Sequence, residues 1–121
     1  MNLSDFQWHK AKSLINRREE LASCIGPDGK IYAIGGYGGT NNQSCMNSVE
    51  RYDPNTDTWE LLANLNEGRR ALSIISLESS YSIYAIGGMN VKDCISSVEK
   101  YDIKSNTWTV VGNLTSPKCT I

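Results

Sequence analysis

Histidine, phenylalanine and proline are scarce in this chain of 121 residues, which holds one His, one Phe and three Pro. A catalytic nucleophile normally needs a base within hydrogen-bond reach. The single imidazole, His9, is therefore read as a surface residue, and no enzyme activity is expected. Long apolar runs are missing too. Nothing approaches the ~18 consecutive apolar residues of a spanning helix, so no membrane segment is expected. Charge bias is absent: twelve Lys and Arg stand against thirteen Asp and Glu, a formal net charge of -1. Such a balance supplies no basic surface to displace counterions from nucleic acid. The N-terminus carries no basic segment followed by an apolar stretch, so no secretory signal is visible and a cytoplasmic location is expected. A hydrophobic content of 40% excludes a disordered tail, and the length allows one compact unit.

Cys24, Cys45, Cys94 and Cys119 are separated by 21, 49 and 25 residues, too widely for a disulfide-stapled miniature fold, and they read as reduced thiols. No two of them have zinc-knuckle spacing and one His cannot complete a mixed site, so neither metal nor cofactor is expected. The run from Gly35 to Thr40 imitates a phosphate cradle but places Asn41 where a dinucleotide fingerprint needs its third glycine, and it lacks Gly-Lys-Ser/Thr. It reads as a loop. Asn-x-Ser/Thr triplets at Asn2, Asn42 and Asn113 carry little weight without an export signal.

What the chain does contain is repetition. Ile-Tyr-Ala-Ile-Gly-Gly begins at Ile31 and returns at Ile83; Ser-Val-Glu-Arg-Tyr-Asp at Ser48 returns as Ser-Val-Glu-Lys-Tyr-Asp at Ser97. Thr58-Trp59 returns as Thr107-Trp108, and Trp8 stands 51 residues before Trp59. Each Trp is followed by a leucine (Leu14, Leu65, Leu114) and then by basic residues: Arg17 and Arg18, Arg69 and Arg70, Lys118. Aromatic residues at repeat-equivalent places belong to a scaffold rather than to one special site.

Within each period the segments are short, rich in β-branched and aromatic residues, and separated by turn residues, as successive strands are. Four strands are expected per copy: 21–25, 30–35, 47–52 and 58–62, then 71–77, 82–87, 96–101 and 107–111. Gly26-Pro27-Asp28-Gly29 and Asp53-Pro54-Asn55-Thr56-Asp57 supply tight turns, because Pro presets one dihedral and Gly accepts a positive one. The second strand is apolar on both sides of its pleat (Ile31, Tyr32, Ala33, Ile34), so its sheet must be covered on both faces. Radially stacked four-stranded sheets provide that cover, which makes the expected fold an all-β propeller.

The double glycines Gly35-Gly36 and Gly87-Gly88, the Tyr-Asp pairs at Tyr52 and Tyr101, and a Trp seven residues later (Trp59, Trp108) resemble the signature of kelch repeats. The wording is most similar to the propeller of intracellular BTB-kelch proteins. That resemblance implies two complete blades, 17–66 and 67–115, with the last strand of a preceding blade at 1–16 and the start of another at 116–121. A closed propeller has about four to eight blades, so the chain is expected to be a fragment that needs the missing blades or self-association to cover its outer faces. The resemblance further implies a protein-protein interaction module that recruits substrates to a cullin-RING ubiquitin ligase, or alternatively a scaffold that binds actin. Kelch-type copper oxidases need tyrosine and histidine ligands that this segment does not supply as a set.

Kelch-like adaptors hold a protein or peptide on the rim where the second-to-third strand loops and the blade-to-blade connections emerge. Here those are 37–45, 89–94, 16–18 and 66–70. Arg18 and Arg70 are the first candidates for partner contact, because the guanidinium fork binds carboxylates bidentately and stacks on rings. Tyr37, Asn41 and Asn42 occur in only one copy and are candidates for specificity. The competing reading is an internal ion pair between a repeated basic residue and the repeated glutamate, Glu50 or Glu99.

Overall fold

The computed structural model describes residues 10–38 and 45–118. Ten strands and no helix occur among them: β1 (Arg18–Glu19), β2 (Ala22–Ile25), β3 (Ile31–Ile34), β4 (Tyr37–Gly38), β5 (Val49–Asp53), β6 (Thr58–Leu61), β7 (Ser73–Leu77), β8 (Ser82–Ile86), β9 (Ile95–Asp102) and β10 (Thr107–Lys118). They form two antiparallel four-stranded sheets, β2-β3-β5-β6 and β7-β8-β9-β10, and a short pair, β1-β4. Each large sheet is the expected meander, and the two pack face to face as consecutive blades of a propeller do.

Turn chemistry sets each meander. Between β2 and β3 the amide of Gly29 donates to the carbonyl of Gly26 at 2.9 Å, with Gly29 at φ 78°, and the Asp28 carboxylate receives the Tyr32 hydroxyl at 2.7 Å. Between β5 and β6 the Asp53 side chain accepts the Asn55 amide at 2.9 Å, an Asx turn. Asp57 and Asn106 both sit at positive φ, 52° and 53°, a region their short polar side chains tolerate. Each also receives the hydroxyl of the tyrosine that opens its turn, Tyr52 at 2.7 Å and Tyr101 at 2.6 Å. The two residue types do the same job.

The core lies between the sheets. Tyr32, Ile34 and Val49 of the first meet Ile83, Ala85, Tyr101 and Trp108 of the second, all buried, and the Tyr32 and Tyr101 rings meet edge to face at 6.1 Å. At about 1.5–3 kcal/mol for each large side chain, this burial is the main term joining the blades. Within a sheet, Tyr52 packs on Trp59 and Tyr101 on Trp108, with ring centroids 5.1 and 4.9 Å apart.

The double glycines are the tightest points of the fold. Gly36 has φ 110°, and a Cβ placed on it would lie 2.7 Å from the carbonyl oxygen of Glu19; one on Gly35, at φ 66°, would lie 2.5 Å from that of Arg69. The pair ends β3 and lets the two flanking connections close on it from both sides, so that the Gly36 amide donates to the Arg69 carbonyl at 2.8 Å. In the second copy Gly88 donates to Lys118 at 2.9 Å, and Gly87 and Gly88 have φ 63° and 91°.

Two expectations are corrected. The last strand, expected at 107–111, runs as β10 from Thr107 to Lys118, with register shifts after Val110 and Asn113. Residues 62–65 of the first copy follow the same path, held there by single hydrogen bonds from Leu62 to Val49 and from Leu65 to Asn47. The cysteines were expected to be reduced, and Cys24 and Cys45 are, but Cys94 is disulfide-bonded. Spacing along the chain misleads here, because approach in space is what decides bridging.

Candidate protein-binding rim

One end of both sheets is organised by a duplicated buried network. The Arg18 guanidinium donates to the Gly35 carbonyl (2.9 Å), the Ser48 carbonyl (2.9 Å), the Ser48 hydroxyl (2.9 Å) and the Glu50 carboxylate (2.7 Å). Arg69 donates in the same order to Gly87 (3.0 Å), Ser97 carbonyl (2.9 Å), Ser97 hydroxyl (2.7 Å) and Glu99 (2.9 Å). All four ionic side chains have no solvent exposure. The remaining oxygen capacity of the carboxylates is used by the crossing chain: Glu50 accepts the amides of Ile15 and Asn16 at 2.6 and 3.0 Å, and Glu99 those of Asn66 and Glu67 at 2.7 and 3.0 Å. A buried ion pair repays its desolvation only with such supporting bonds. Here the result is a clamp fastening each blade-to-blade connection to the third strand of the next sheet.

Arg18, a first candidate for partner contact, is therefore an interior residue. Its side chain has no solvent exposure, its two terminal nitrogens are spent inside the clamp, and it borders the first rim cavity only from beneath, with Nε alone unpartnered. The ion-pair reading describes it, and its repeat equivalent is Arg69 rather than Arg70. The 51-residue offset of the tryptophans carries Arg18 onto Arg69, and the positive φ of Glu20 (52°) and Ala71 (53°) confirms that register. Arg70 then falls at the place of Glu19.

Arg70 lies on the rim, half-buried. Its guanidinium stacks over the Tyr37 ring at 4.9 Å, its Nε lies 3.7 Å from a Glu20 carboxylate oxygen, and that Nε has no hydrogen-bond partner. The backbone bridges of Arg70 with Met89, and of Tyr37 and Met89 with Cys45 and Cys94, tie these loops together. Arg70 and Tyr37 were both expected here, and the structure brings them together. Asn41 and Asn42 lie outside the described residues, as do Trp8, His9 and Cys119. Gly35, Gly36, Gly87, Gly88, Tyr52, Tyr101, Trp59 and Trp108 occupy equivalent scaffold places in the two blades.

Two open cavities flank this rim. The first, of ≈ 510 Å³, is lined by Ser13, Asn16, Arg17, Glu19, Tyr37 and Gly38. The second, of ≈ 400 Å³, is lined by Cys45, Asn66, Glu67, Gly68, Asn90 and Lys92. Repeat offsets map Asn16 onto Glu67, Arg17 onto Gly68 and Gly38 onto Asn90, so the cavities are one feature in successive blades with different chemistry at each place. The loops of the second, 66–70 and 89–94, are among those expected on the rim, but Glu67, Asn90 and Lys92 share no pattern with the first copy and are not among the sequence candidates. Asn90 closes its own loop by accepting the amides of Lys92 and Asp93, both at 2.8 Å, and donates to Glu67 at 3.2 Å.

Among the described residues, no group of three or more His, Cys, Asp and Glu is placed to hold a metal. Burial pushes the Cys24 thiol up to about 11, helped by the charge of Asp28, and burial likewise raises Cys45. Both are poor nucleophiles near neutrality.

Comparison with known proteins supports the architecture. A Kelch motif family model matches residues 21–66 and 79–115. An F-box/kelch-repeat protein of Arabidopsis thaliana is 41% identical over 63 residues, which span 50% of this chain and 18% of that protein. Human Kelch-like protein 23 is 32% identical over 65 residues, 54% of this chain and 11% of the relative. The mouse Influenza virus NS1A-binding protein homolog is 45% identical over 42 residues, 35% of this chain and 6% of the relative. The chain thus spans less than a fifth of the length of these relatives. Among solved structures, that of YjhT superposes with a TM-score of 0.78 at 17% identity, over 90% of this chain and 42% of its own. With the motif matched across most of its length and the two sheets folded as consecutive blades, this chain belongs to the kelch repeat family.

Proposed function

We propose that this chain is part of a protein-binding propeller whose rim loops recruit a substrate protein to a cullin-RING ubiquitin ligase. The observation that carries the binding role is the contrast between the two copies. Four bonds of the buried arginine–glutamate clamp recur in both copies, to the glycine carbonyl, the serine carbonyl, the serine hydroxyl and the glutamate, whereas several rim residues (Arg17 against Gly68, Glu19 against Arg70, Tyr37 against Met89) differ between equivalent places. A scaffold held constant under variable exposed loops is how recognition surfaces are built. The ligase assignment is supported by resemblance to F-box/kelch-repeat and Kelch-like proteins. The proposal includes a cytoplasmic location and no catalytic step by the propeller itself.

The test uses the full reading frame. Purified full-length protein is expected to bind a cullin scaffold and to promote ubiquitin transfer to the protein held on its propeller, and Arg70→Ala is expected to weaken that hold at a cost to folding stability of under about 1 kcal/mol. Failure to bind any cullin together with cosedimentation with actin filaments would replace the ligase reading by the cytoskeletal one.

A further inference from the structure

We infer that the second rim cavity takes a lysine or arginine side chain of the partner protein, with the Glu67 carboxylate as its ion-pair acceptor, an inference that rests on the protein-binding role proposed for this rim. The walls of that cavity come from both blades and from the connection between them: Cys45 from the first, Asn90 and Lys92 from the second, and Asn66 and Glu67 from the chain that joins them.

Charge around the second clamp does not balance. In the first blade Arg18 faces one carboxylate, Glu50, and the pair is neutral. In the second, Arg69 faces two: Glu99 at 2.9 Å, with no solvent exposure, and Glu67 at 3.9 Å, whose side chain is 42% exposed. One negative charge is left over, and it stands where a ligand can reach it. The equivalent place in the first blade is Asn16, which brings no charge. Fastening of the connection does not need the Glu67 carboxylate, because it is the backbone amide of this residue that donates to Glu99, at 3.0 Å, as that of Asn16 donates to Glu50.

The carboxylate is also held in a fixed direction. One oxygen accepts the Ser97 hydroxyl at 3.1 Å and the other the Asn90 side-chain amide at 3.2 Å. Asn90 is itself anchored, since its side-chain oxygen accepts the amides of Lys92 and Asp93 and leaves the NH2 group for Glu67. A further acceptor borders the cavity: the NH2 group of Asn66 is spent on Glu99 and on the Trp108 carbonyl, which leaves the Asn66 side-chain oxygen open. Cations are sparse here. The place of Arg17, which borders the first cavity, is taken by Gly68, where a Cβ would lie 2.5 Å from the Cys45 carbonyl oxygen, so there is no room for a side chain. Lys92 borders the cavity but is exposed and forms no ion pair among the described residues. An oriented carboxylate, an open amide oxygen beside it and the apolar Val91 in the wall suit a side chain with an aliphatic stem and a cationic, donor-rich head.

The experiment presents a random hexapeptide library to the purified full-length protein and sequences the peptides it captures. The parent is expected to enrich Lys and Arg at one position by about two- to fivefold, the worth of a partly exposed ion pair. Glu67→Asn, which installs the residue found at the equivalent Asn16 and keeps the backbone bond to Glu99, is expected to lose that enrichment while the preferences at other positions remain. Glu67→Lys is expected to replace it by enrichment of Asp and Glu. Captured peptides with no bias toward Lys or Arg, or a bias that survives Glu67→Asn, would overturn the inference and leave the binding role standing. A parent that captures no peptide would count against the binding role itself, and the cationic site would fall with it. Thermal melts check folding, and Glu67→Asn alone decides the matter should Glu67→Lys unfold.

Discussion

Two adjacent arginines of one connection have opposite roles, and burial separates them. Arg69 is enclosed and tied to Glu99 by a bond of 2.9 Å, so Arg69→Ala would strand a buried carboxylate and is expected to cost about 3–5 kcal/mol, read as a lowered midpoint in urea. Arg70 is partly exposed and loses only a ring stack and a loose ion pair, so Arg70→Ala is expected to cost under about 1 kcal/mol. Equal effects of the two would refute the assignment. Sequence reading located the basic pair and the glutamate opposite, yet paired Arg18 with Arg70. The repeat offset drifts among 49, 51 and 52 residues, so neighbouring basic residues are distinguishable only by which one the fold encloses. Tyrosine ionisation supplies a second residue-scale test. Burial pushes Tyr101 up to about 12 from an ordinary 10. Above the unfolded value the unfolded chain has released a proton that the folded chain keeps, so stability is full below pH 10 and falls as pH rises toward the folded value. Alkaline titration followed by phenolate absorbance and circular dichroism is expected to show Tyr101 ionising late and together with loss of structure; Tyr101→Phe should remove its part of that loss.

At the scale of elements, the strands were legible because short β-branched segments between Gly, Pro, Asn and Asp turns have few other ways to fold. Their limits were less so. The eventual length of β10 depends on pairing with β9 across a bulge, which no local pattern marks. The glycine pairs test whether the crossing connections are held as tightly as the geometry indicates. Gly29 has φ 78° and open space around its absent side chain, so Gly29→Ala meets only the backbone penalty of about 1–2 kcal/mol. Gly36→Ala meets that penalty and also the Glu19 carbonyl oxygen at 2.7 Å. It is expected to lose more stability than Gly29→Ala, with the excess measuring the closeness of the β1 connection. Equal losses in thermal melts would show that the connection gives way at little cost.

For the molecule as a whole, neither sheet hides its own apolar faces, and the stacking inferred from the two-sided apolar strand is what the structure contains. Strand β3 turns Tyr32 toward the second sheet and Ile31 away from it, so one short segment serves two contacts. Composition could not reveal which contact is filled, because Ile31 and Ile83 are the same residue in the same motif and differ only in having a neighbour. If stacking rather than the hairpins within each sheet holds the fold, residues on different blades must share energy. The Tyr32–Tyr101 edge contact is the clearest place to measure it, since the two residues are 69 positions apart and joined by no hydrogen bond. A double-mutant cycle with Tyr32→Leu and Tyr101→Leu, read from urea unfolding, is expected to yield a coupling of about 0.5–1.5 kcal/mol. Strictly additive losses would mean that the sheets fold as separate units. A measured coupling would make each blade the solvent-excluding cover of the next, which is the condition under which loops from successive blades keep a fixed spacing along one rim.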